Sequence, residues 1–176
     1  MGNEAGFRIR TATEADRAAI QEVSVAAYIQ YAEIMPQDIW ESYKENILEV
    51  TANIGGPAEQ IVAEMDGAIV GSVLIFPSGS TMGEGDDEVF RRKWPEIRLL
   101  AVAPLARGKG IGAALTKECI RRARESGVAT ITLHTLDMMP VAMRMYEKLG
   151  FVRMPELDFH PGPEVVVKGY SYDLQA

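Results

Sequence analysis

The sequence predicts an α/β protein, α+β in some schemes, with a mixed and twisted sheet of six to seven strands and helices on both faces. The candidate elements run β α α β β β α β α β β, and the strand–loop–helix–strand succession in the middle predicts a parallel crossover. The chain has 176 residues, of which 47% are hydrophobic, so it can build one core. We therefore expect a single domain over residues 1–176.

The first third of the chain predicts one strand followed by two helices. Residues 7–12 alternate apolar and charged side chains, which is typical of a strand. Thr13 precedes a run with helical spacing, and Asp16 follows three residues later, as at a helix start with an acidic first turn. Residues 36–50 predict a second helix with proline in its first turn, and the composition of residues 53–57 predicts a loop.

The middle of the chain predicts a hairpin, an exposed loop and the crossover. Asp66 and Gly67 separate two apolar runs within residues 60–76, which is a strong hairpin signal. Residues 78–95 are polar, rich in glycine and acidic, so we expect an exposed loop or a partly ordered insertion. A strand over 96–102, a glycine-rich turn and a helix ending at Gly127 come next, and a strand over 128–136 completes the crossover.

The last part of the chain predicts a helix and two further strands. The helix covers residues 139–150, with a proline near its start and a glycine at its end. The strands are expected over 151–154 and 164–174, with the segment FHPGP between them. We expect these strands to pair antiparallel, and an exposed apolar edge near 164–174 would be compatible with a homodimer.

Charge and composition exclude several classes of function. The net charge of −7 argues against a nucleic-acid partner, because phosphate binding needs a cationic surface. No apolar run approaches the ~20 residues that span a bilayer, and the first residues have no apolar signal region, so no membrane partner is expected. Cys119 is the single cysteine and cannot form an internal disulfide, which favours a cytoplasmic protein. No His/Cys cluster has metal-ligand spacing, and we expect no metal.

The stretch ARGKGIGAAL over residues 106–115 has the chemistry of a phosphate-binding turn. The first turn of a helix has unpaired backbone N–H groups and partial positive charge, and glycine lets a phosphate approach them closely. Arg107 and Lys109 add formal positive charge. A tight turn that needs glycine for its geometry alone is the alternative. The P-loop motif is absent, and the surrounding strands do not follow the repeating dinucleotide-binding pattern.

Two blocks of sequence resemble the GNAT superfamily of acyl-CoA-dependent N-acetyltransferases. EIRLLAVAPLARGKGIGAAL resembles the core motif, a strand, a proline-containing link, [QR]-x-x-G-x-[GA] and a helix. MRMYEKLGFV over residues 143–152 resembles the later signature of the family, a helix that ends at Leu-Gly-Phe. The blocks lie in the order and at the spacing of that family, and the element order fits over roughly residues 7–174. The resemblance implies a GNAT-like fold with acetyl-CoA as the acyl donor.

The resemblance also implies which backbone groups hold the acyl-CoA. The strand before the loop would carry a β-bulge and splay from its parallel neighbour, and its backbone would hold the acetyl and pantetheine portions. The turn and the helix start would hold the pyrophosphate through backbone amides and two cationic side chains. The residues implied are Leu100, Ala101 and Val102 for the first role, and Arg107, Gly108, Lys109, Gly110, Ile111, Gly112 and Ala113 for the second.

Two residues are implied as catalytic. Tyr146 matches the tyrosine that commonly acts as general acid in the family, although a core aromatic on an amphipathic helix is the alternative. Glu96 stands where some members have a catalytic glutamate, and a solvated strand end is the alternative. On a regular strand Glu96 would share a face with Arg98, whose charge would lower the pKa of the carboxyl group and make it a poorer base.

Four other residues have weaker signals. His134 could relay protons, but a polar strand-end residue or a histidine with its hydrogen bonds satisfied is the simpler interpretation, and His160 is interpreted as a loop residue. Cys119 lies among apolar residues of a helix and is interpreted as a packed thiol. Met139 stands where many GNAT proteins have an asparagine that contacts the pantetheine arm, so that contact is absent or replaced.

The expected function is direct transfer of an acetyl group from acetyl-CoA to a primary amine of a small molecule, a peptide or a protein, with a non-catalytic acyl-CoA sensor as the alternative. In the family the first two helices and nearby loops build the acceptor site. The corresponding residues here are Tyr28, Tyr31, Met35, Trp40 and Tyr43, with Glu84, Asp86, Asp87 and Glu88 in the 78–95 loop. These four carboxylates would attract a cationic amine, although a solvated acidic loop is the simpler interpretation.

Overall fold

A computed structural model describes residues 6–82 and 90–176. The described chain forms ten β-strands and four α-helices. The strands are β1 Arg8–Thr11, β2 Glu59–Met65, β3 Ala68–Phe76, β4 Thr81–Met82, β5 Phe90–Arg91, β6 Glu96–Val102, β7 Thr130–Leu136, β8 Val152–Arg153, β9 Phe159–Gly162 and β10 Val165–Asp173. The helices are α1 Arg17–Tyr28, α2 Gln37–Ala52, α3 Ile111–Glu125 and α4 Pro140–Leu149.

The strands form one mixed sheet in the order β1-β2-β3-β6-β7-β10-β8, with β9 beside β10, while β4 and β5 form a separate ladder. The predicted crossover is confirmed, because β6 and β7 are parallel, with Glu96 opposite Thr132 and Ile97 opposite Leu133. The last strands are antiparallel, as expected. The described part of the main sheet has eight strands rather than six to seven, since β9 was not predicted.

The local signals in the sequence have clear structural counterparts. Asp66 and Gly67 have φ values of 51° and 79°, which is the left-handed pair that a two-residue hairpin turn requires. At the start of the first helical segment, the Asp16 carboxylate accepts the Thr13 backbone N–H at 2.8 Å and also binds the Arg10 guanidinium at 2.7 and 2.9 Å. In contrast, Pro36 precedes α2 and does not lie within its first turn.

Two expectations about the last strands are wrong. FHPGP is not only a connection, because Phe159–Gly162 forms β9, so His160 lies on an exposed strand and not in a loop. The β10 strand does not provide a free edge. It pairs with β7 on one side, from Val167 to Asp173, and with β8 and β9 through other pairs. The prediction of a homodimer therefore loses this support and stays untested.

The chain divides into two compact units, Met1–Leu74 with Leu99–Glu118 and Ile75–Arg98 with Cys119–Ala176. The core of the first unit includes a cluster of Ala12, Ile20 and Val62. In the second unit Ile131, Leu133 and Tyr170 are almost fully buried. The expectation of one domain over residues 1–176 stays a prediction. None of the helices in the described ranges has the length and apolar character needed to cross a membrane.

Candidate functional site

The backbone of β6 is irregular at its middle residue, Leu99, from which the rest of the strand belongs to the first unit. Leu99 is buried and has a φ of 52°, a left-handed conformation that costs a residue with a side chain roughly 1–2 kcal/mol. Such a residue inside a strand is a feature of β-bulges, which the family resemblance predicts here. The next carbonyl oxygen, that of Leu100, accepts a hydrogen bond from the Tyr28 hydroxyl at 2.7 Å. A side chain of α1 therefore fixes the backbone of Leu100, one of the predicted pantetheine-binding residues.

Gly71 on β3 permits a close approach beside this strand end. A Cβ atom at Gly71 would lie 3.0 Å from side-chain atoms of both Ile111 and Leu115 and 3.2 Å from the Ala101 carbonyl oxygen. The backbone at Ala101, a second predicted cofactor residue, is thus packed against a position that tolerates only glycine without a shift. No signal in the hairpin sequence distinguishes Gly71 from a strand glycine of lesser importance.

The glycine-rich turn leads into α3 as predicted. Gly108 and Gly110 have φ values of 80° and 79°, so both need the backbone freedom of glycine. The Ala114 N–H donates to the Gly110 carbonyl at 3.0 Å, which is the first bond of the helical ladder. The N–H groups of the three helix residues before it, Ile111, Gly112 and Ala113, have no acceptor one turn earlier within α3 and carry the positive end of the helix dipole. This is a helix start suited to an anion.

The two cationic side chains of the turn differ in their surroundings. The Arg107 guanidinium donates to the Ala27 carbonyl at 3.1 Å and to the Gln30 side chain at 3.1 Å. It therefore ties the turn to the C-terminal end of α1, where backbone carbonyls favour a cation. Lys109 is exposed. Arg107 is exposed as well, so the two cations differ in that Arg107 is held by these hydrogen bonds to α1 and to Gln30.

The residues expected to build the acceptor site are partly buried in the first unit. Tyr28 packs against Tyr31 and Tyr43, with ring centroids 6.1 and 5.6 Å apart. Met35 and Trp40 are buried, whereas Tyr31 and Tyr43 are half-buried. The carboxylates predicted to attract the amine all lie outside the described residues; they are Glu84, Asp86, Asp87 and Glu88.

Glu96, in the second unit, is buried and surrounded by cationic groups. Its side chain is 6% exposed, so it is not a solvated strand end. Arg92 Nε lies 3.3 Å from Oε2, Arg98 Nε lies 3.7 Å from Oε1, and His134 Nδ1 lies 3.6 Å from Oε2. The predicted neighbourhood of Glu96 and Arg98 is confirmed. Arg92 was not predicted, because nothing in the polar 78–95 segment marks which residue turns back into the core.

The pKa values of this cluster move in opposite directions. Burial raises the pKa of Glu96, but the His134 contact and the charges of Arg92 and Arg98 outweigh burial, and the pKa falls below its usual value. Burial lowers the pKa of His134, but Glu96 and the Leu157 carbonyl outweigh it, and the pKa rises above 6.5. Burial lowers the pKa of Arg92. The carboxylate is stabilised as an anion and is a weak proton acceptor by itself.

Tyr146 lies on α4 and is buried. Its ring packs edge-on against Phe151 at 5.8 Å between centroids, and its carbonyl oxygen accepts the Phe151 N–H at 3.0 Å. Gly150 ends the helix with a φ of 109°. The Leu-Gly-Phe signature thus turns the chain back so that Phe151 contacts the tyrosine ring. The core-aromatic interpretation is therefore true of the ring, and it does not conflict with a role for the hydroxyl.

Met139 and Cys119 have packed side chains. Met139 precedes α4 and is buried, and its sulfur lies 3.9 Å from the Thr135 hydroxyl. A thioether cannot provide the two-way hydrogen bonding of the asparagine that many GNAT proteins have there. Cys119 is fully buried in α3, which confirms the packed-thiol interpretation. Among the described residues, no group of three His, Cys, Asp or Glu residues could hold a metal ion.

Comparison with known proteins defines the class. The model of the acetyltransferase (GNAT) family matches residues 18–151, which include the first sequence block with its helix-start turn and all of the second block except Val152. The chain therefore belongs to the GNAT acetyltransferase family. It is 30% identical over 158 residues to a mycothiol acetyltransferase of Stackebrandtia nassauensis, covering 89% of this chain and 48% of that protein. It is 32% identical over 99 residues to human N-acetyltransferase 8B, covering 56% of this chain and 40% of that protein.

These matches leave more than half of each relative uncovered, since the chain spans 48% and 40% of their lengths. Two solved structures share the fold. The PaiA N-acetyltransferase of Thermoplasma acidophilum, solved with coenzyme A, has a TM-score of 0.68 at 18% identity and covers 94% of this chain and 99% of its own. The yncA protein of Salmonella typhimurium, solved with acetyl-CoA, has a TM-score of 0.61 at 23% identity, with 96% and 94% covered.

Proposed function

We propose that this protein is an N-acetyltransferase that moves an acetyl group from acetyl-CoA directly to a primary amine of a small molecule or a protein. The observation that carries the proposal is the start of α3. Gly108 and Gly110 adopt left-handed conformations there, and the first N–H groups of the helix have no helical acceptor. The family match and the neighbours solved with acetyl-CoA or coenzyme A support the same cofactor.

In this proposal the backbone of β6 and the turn hold the donor. Leu100, Ala101 and Val102 bind the acetyl and pantetheine portions, and the segment from Arg107 to Ala113 binds the pyrophosphate. The Tyr28 bond to the Leu100 carbonyl supports a fixed strand end, because a pre-organised backbone loses less freedom when a ligand binds. Arg107 acts by anchoring the turn to α1, and Lys109 supplies the charge.

The chemistry asks for a base and an acid. The acceptor ammonium must lose a proton before its nitrogen attacks the thioester carbonyl, and the departing thiolate must gain one. We assign the first role to Glu96, acting directly or through water, and the second to Tyr146, whose phenol is a donor at neutral pH. A single transfer step needs no covalent acyl-enzyme, and the burial of Cys119 agrees with this.

The test combines binding with turnover. Acetyl-CoA is titrated calorimetrically, and thiol release is then screened against polyamines, aminoglycosides, amino acids, peptide N-termini and mycothiol-related amines, with products identified by mass spectrometry. Binding together with an acetylated product supports the proposal. Binding without turnover on any amine favours the acyl-CoA sensor, and failure to bind overturns both.

The location, the partners and the oligomeric state of the protein stay predictions. A cytoplasmic location rests on the single cysteine, and the absence of a nucleic-acid or membrane partner rests on composition and charge. A homodimer also stays a prediction, and the exposed edge near 164–174 no longer supports it because β10 is paired with β7, β8 and β9. Sedimentation of the purified chain at several concentrations tests it directly.

A further inference from the structure

The His134 ring lies between two acceptors within the second unit. Its Nε2 is 2.9 Å from the Leu157 carbonyl oxygen, and its Nδ1 is 3.6 Å from Glu96 Oε2. A carbonyl oxygen can only accept, so Nε2 carries a proton whether the ring is neutral or charged. Nδ1 is therefore the nitrogen that gains or loses a proton, and it faces the Glu96 carboxylate. The Phe159 ring packs edge-on at 5.3 Å and limits ring motion.

The sheet register creates this arrangement. Glu96 is opposite Thr132 in the parallel ladder, so His134 lies two residues further along β7, on the same face as Thr132. The two side chains are 6% and 12% exposed. A pair that is largely shielded from water interacts more strongly than a surface pair does.

A second set of contacts holds the Leu157 carbonyl. Asp158 accepts the Gly169 N–H at 2.8 Å and two hydrogen bonds from Arg153 at 2.7 and 2.8 Å. Gly169 leaves no room for a side chain, because a Cβ atom would lie 2.4 Å from Leu157 Cβ. Together, Arg153, Asp158 and Gly169 hold the turn before β9 against β10. They thereby also fix the Leu157 carbonyl oxygen, which accepts the hydrogen bond from His134 Nε2.

The charged groups around the pair set its proton balance. Arg92 and Arg98 face Glu96 from the 92–98 segment, Asp158 influences His134 from the turn, and Arg98 also acts on His134. The cations keep Glu96 ionised. The carboxylate and the Leu157 carbonyl together stabilise the imidazolium form of His134. A proton that arrives at Glu96 is thus held better by the histidine than by the carboxylate.

We propose that Glu96 and His134 work as one proton-accepting pair, in which Nδ1 of His134 holds the proton that the acceptor ammonium loses. This rests on the proposed function. The ammonium N–H bond breaks, its electron pair stays on nitrogen, and the proton passes through the Glu96 carboxylate to form an Nδ1–H bond. The imidazolium later releases the proton to solvent. The 3.6 Å separation must shorten to about 2.8 Å, as catalytic contacts commonly do when a substrate binds.

Two measurements test the pair, and the first needs no acceptor. NMR titration of the His134 ring in the full chain should give a pKa above 6.5, and Glu96→Gln should lower that pKa by removing the carboxylate. The chain has two histidines, so His160→Gln assigns the signals. A His134 pKa at or below 6.5, or a pKa that Glu96→Gln leaves unchanged, would overturn the proposed pair. This outcome is independent of whether the protein acetylates an amine.

The second measurement is the pH profile of kcat with an amine found in the screen. The wild-type acidic limb should follow the NMR pKa of His134. His134→Gln, which keeps a donor for the Leu157 carbonyl, should lower kcat roughly 10-fold or more and move that limb to lower pH. His160→Gln, on exposed β9, should leave the profile unchanged. An unchanged limb and rate in His134→Gln would refute the relay while leaving the acetyltransferase assignment intact.

Discussion

The Tyr28 hydroxyl on α1 donates to the Leu100 carbonyl on β6 at 2.7 Å, directly after the left-handed Leu99. This bond joins a helix to the irregular end of a strand across 72 residues of sequence. A strained backbone persists where contacts with the surrounding structure stabilise it, and the Tyr28 hydrogen bond is one such contact. Since the strand end is proposed to bind acetyl-CoA, this bond can be tested through both stability and affinity.

Tyr28→Phe should weaken acetyl-CoA binding about 3- to 10-fold and lower the free energy of unfolding by about 1 kcal/mol, because the Leu100 carbonyl loses its donor. Calorimetric titration and urea unfolding measure the two effects. Tyr31→Phe is the matched control, since its ring belongs to the same cluster. Equal affinities for wild type and Tyr28→Phe would show that the bond has no role in binding.

Gly110→Ala should reduce acetyl-CoA affinity roughly 10-fold, because alanine disfavours the left-handed conformation that aims the helix-start amides. Gly67→Ala in the hairpin turn is the control. Both glycines have a φ of 79° and open space for a Cβ atom, so both variants should lose a similar stability of about 1 kcal/mol. The assignment of the turn as a pyrophosphate site fails if the two variants bind acetyl-CoA equally well.

Tyr146→Phe should lower kcat roughly 100-fold while leaving acetyl-CoA affinity nearly unchanged, because the variant keeps the ring and loses only the proton donor. The ring keeps its packing against Phe151 in this variant. Steady-state thiol release and calorimetric titration provide the two readouts. Tyr172→Phe, whose ring also contacts Phe151, is the control. A normal kcat in Tyr146→Phe would exclude Tyr146 as the general acid.

Asp16→Asn should lower the free energy of unfolding at pH 7 by about 2 kcal/mol, because it removes the charge that binds Arg10. The Arg10 guanidinium holds the pKa of Asp16 well below 3.8, although burial acts in the opposite direction. A carboxyl group whose pKa is lower in the folded state than in the unfolded state stabilises the fold at pH values above the unfolded pKa. This stabilisation is lost as the pH falls from the unfolded pKa through the folded pKa. Urea unfolding should therefore show that the difference in the free energy of unfolding between wild type and Asp16→Asn is smaller at pH 3 than at pH 7. Glu14→Gln, at an exposed residue, is the control.

Gly169→Ala should lower the free energy of unfolding by about 2 kcal/mol, since the added Cβ would overlap Leu157 and the Met154 carbonyl. Gly162→Ala on neighbouring β9 has open space and should change stability by less than about 0.5 kcal/mol. Thermal unfolding compares the two. Similar melting temperatures for both variants would contradict the close packing of the turn on β10.

Much of the fold follows from local sequence signals. Asp66-Gly67 predicts its hairpin and Gly150 predicts its helix end, because left-handed residues are costly for most side chains and glycine marks where they occur. The glycines of the turn before α3 are predicted for the same reason. The strand β9 was missed because FHPG, with its proline and glycine, has the composition of a turn and pairs only through the register of β10.

The sequence by itself determined the order of the four helices and of seven strands, the parallel crossover and the family, since these depend on periodicity, turn residues and contiguous motifs. Only the tertiary structure decided the surroundings of Glu96. Arg92 and Arg98 are near it in sequence, but His134 reaches it through the β6–β7 register, 38 residues later by numbering. Burial and charge then decide which of these groups holds a proton, and both depend on contacts between distant segments, which local patterns do not encode.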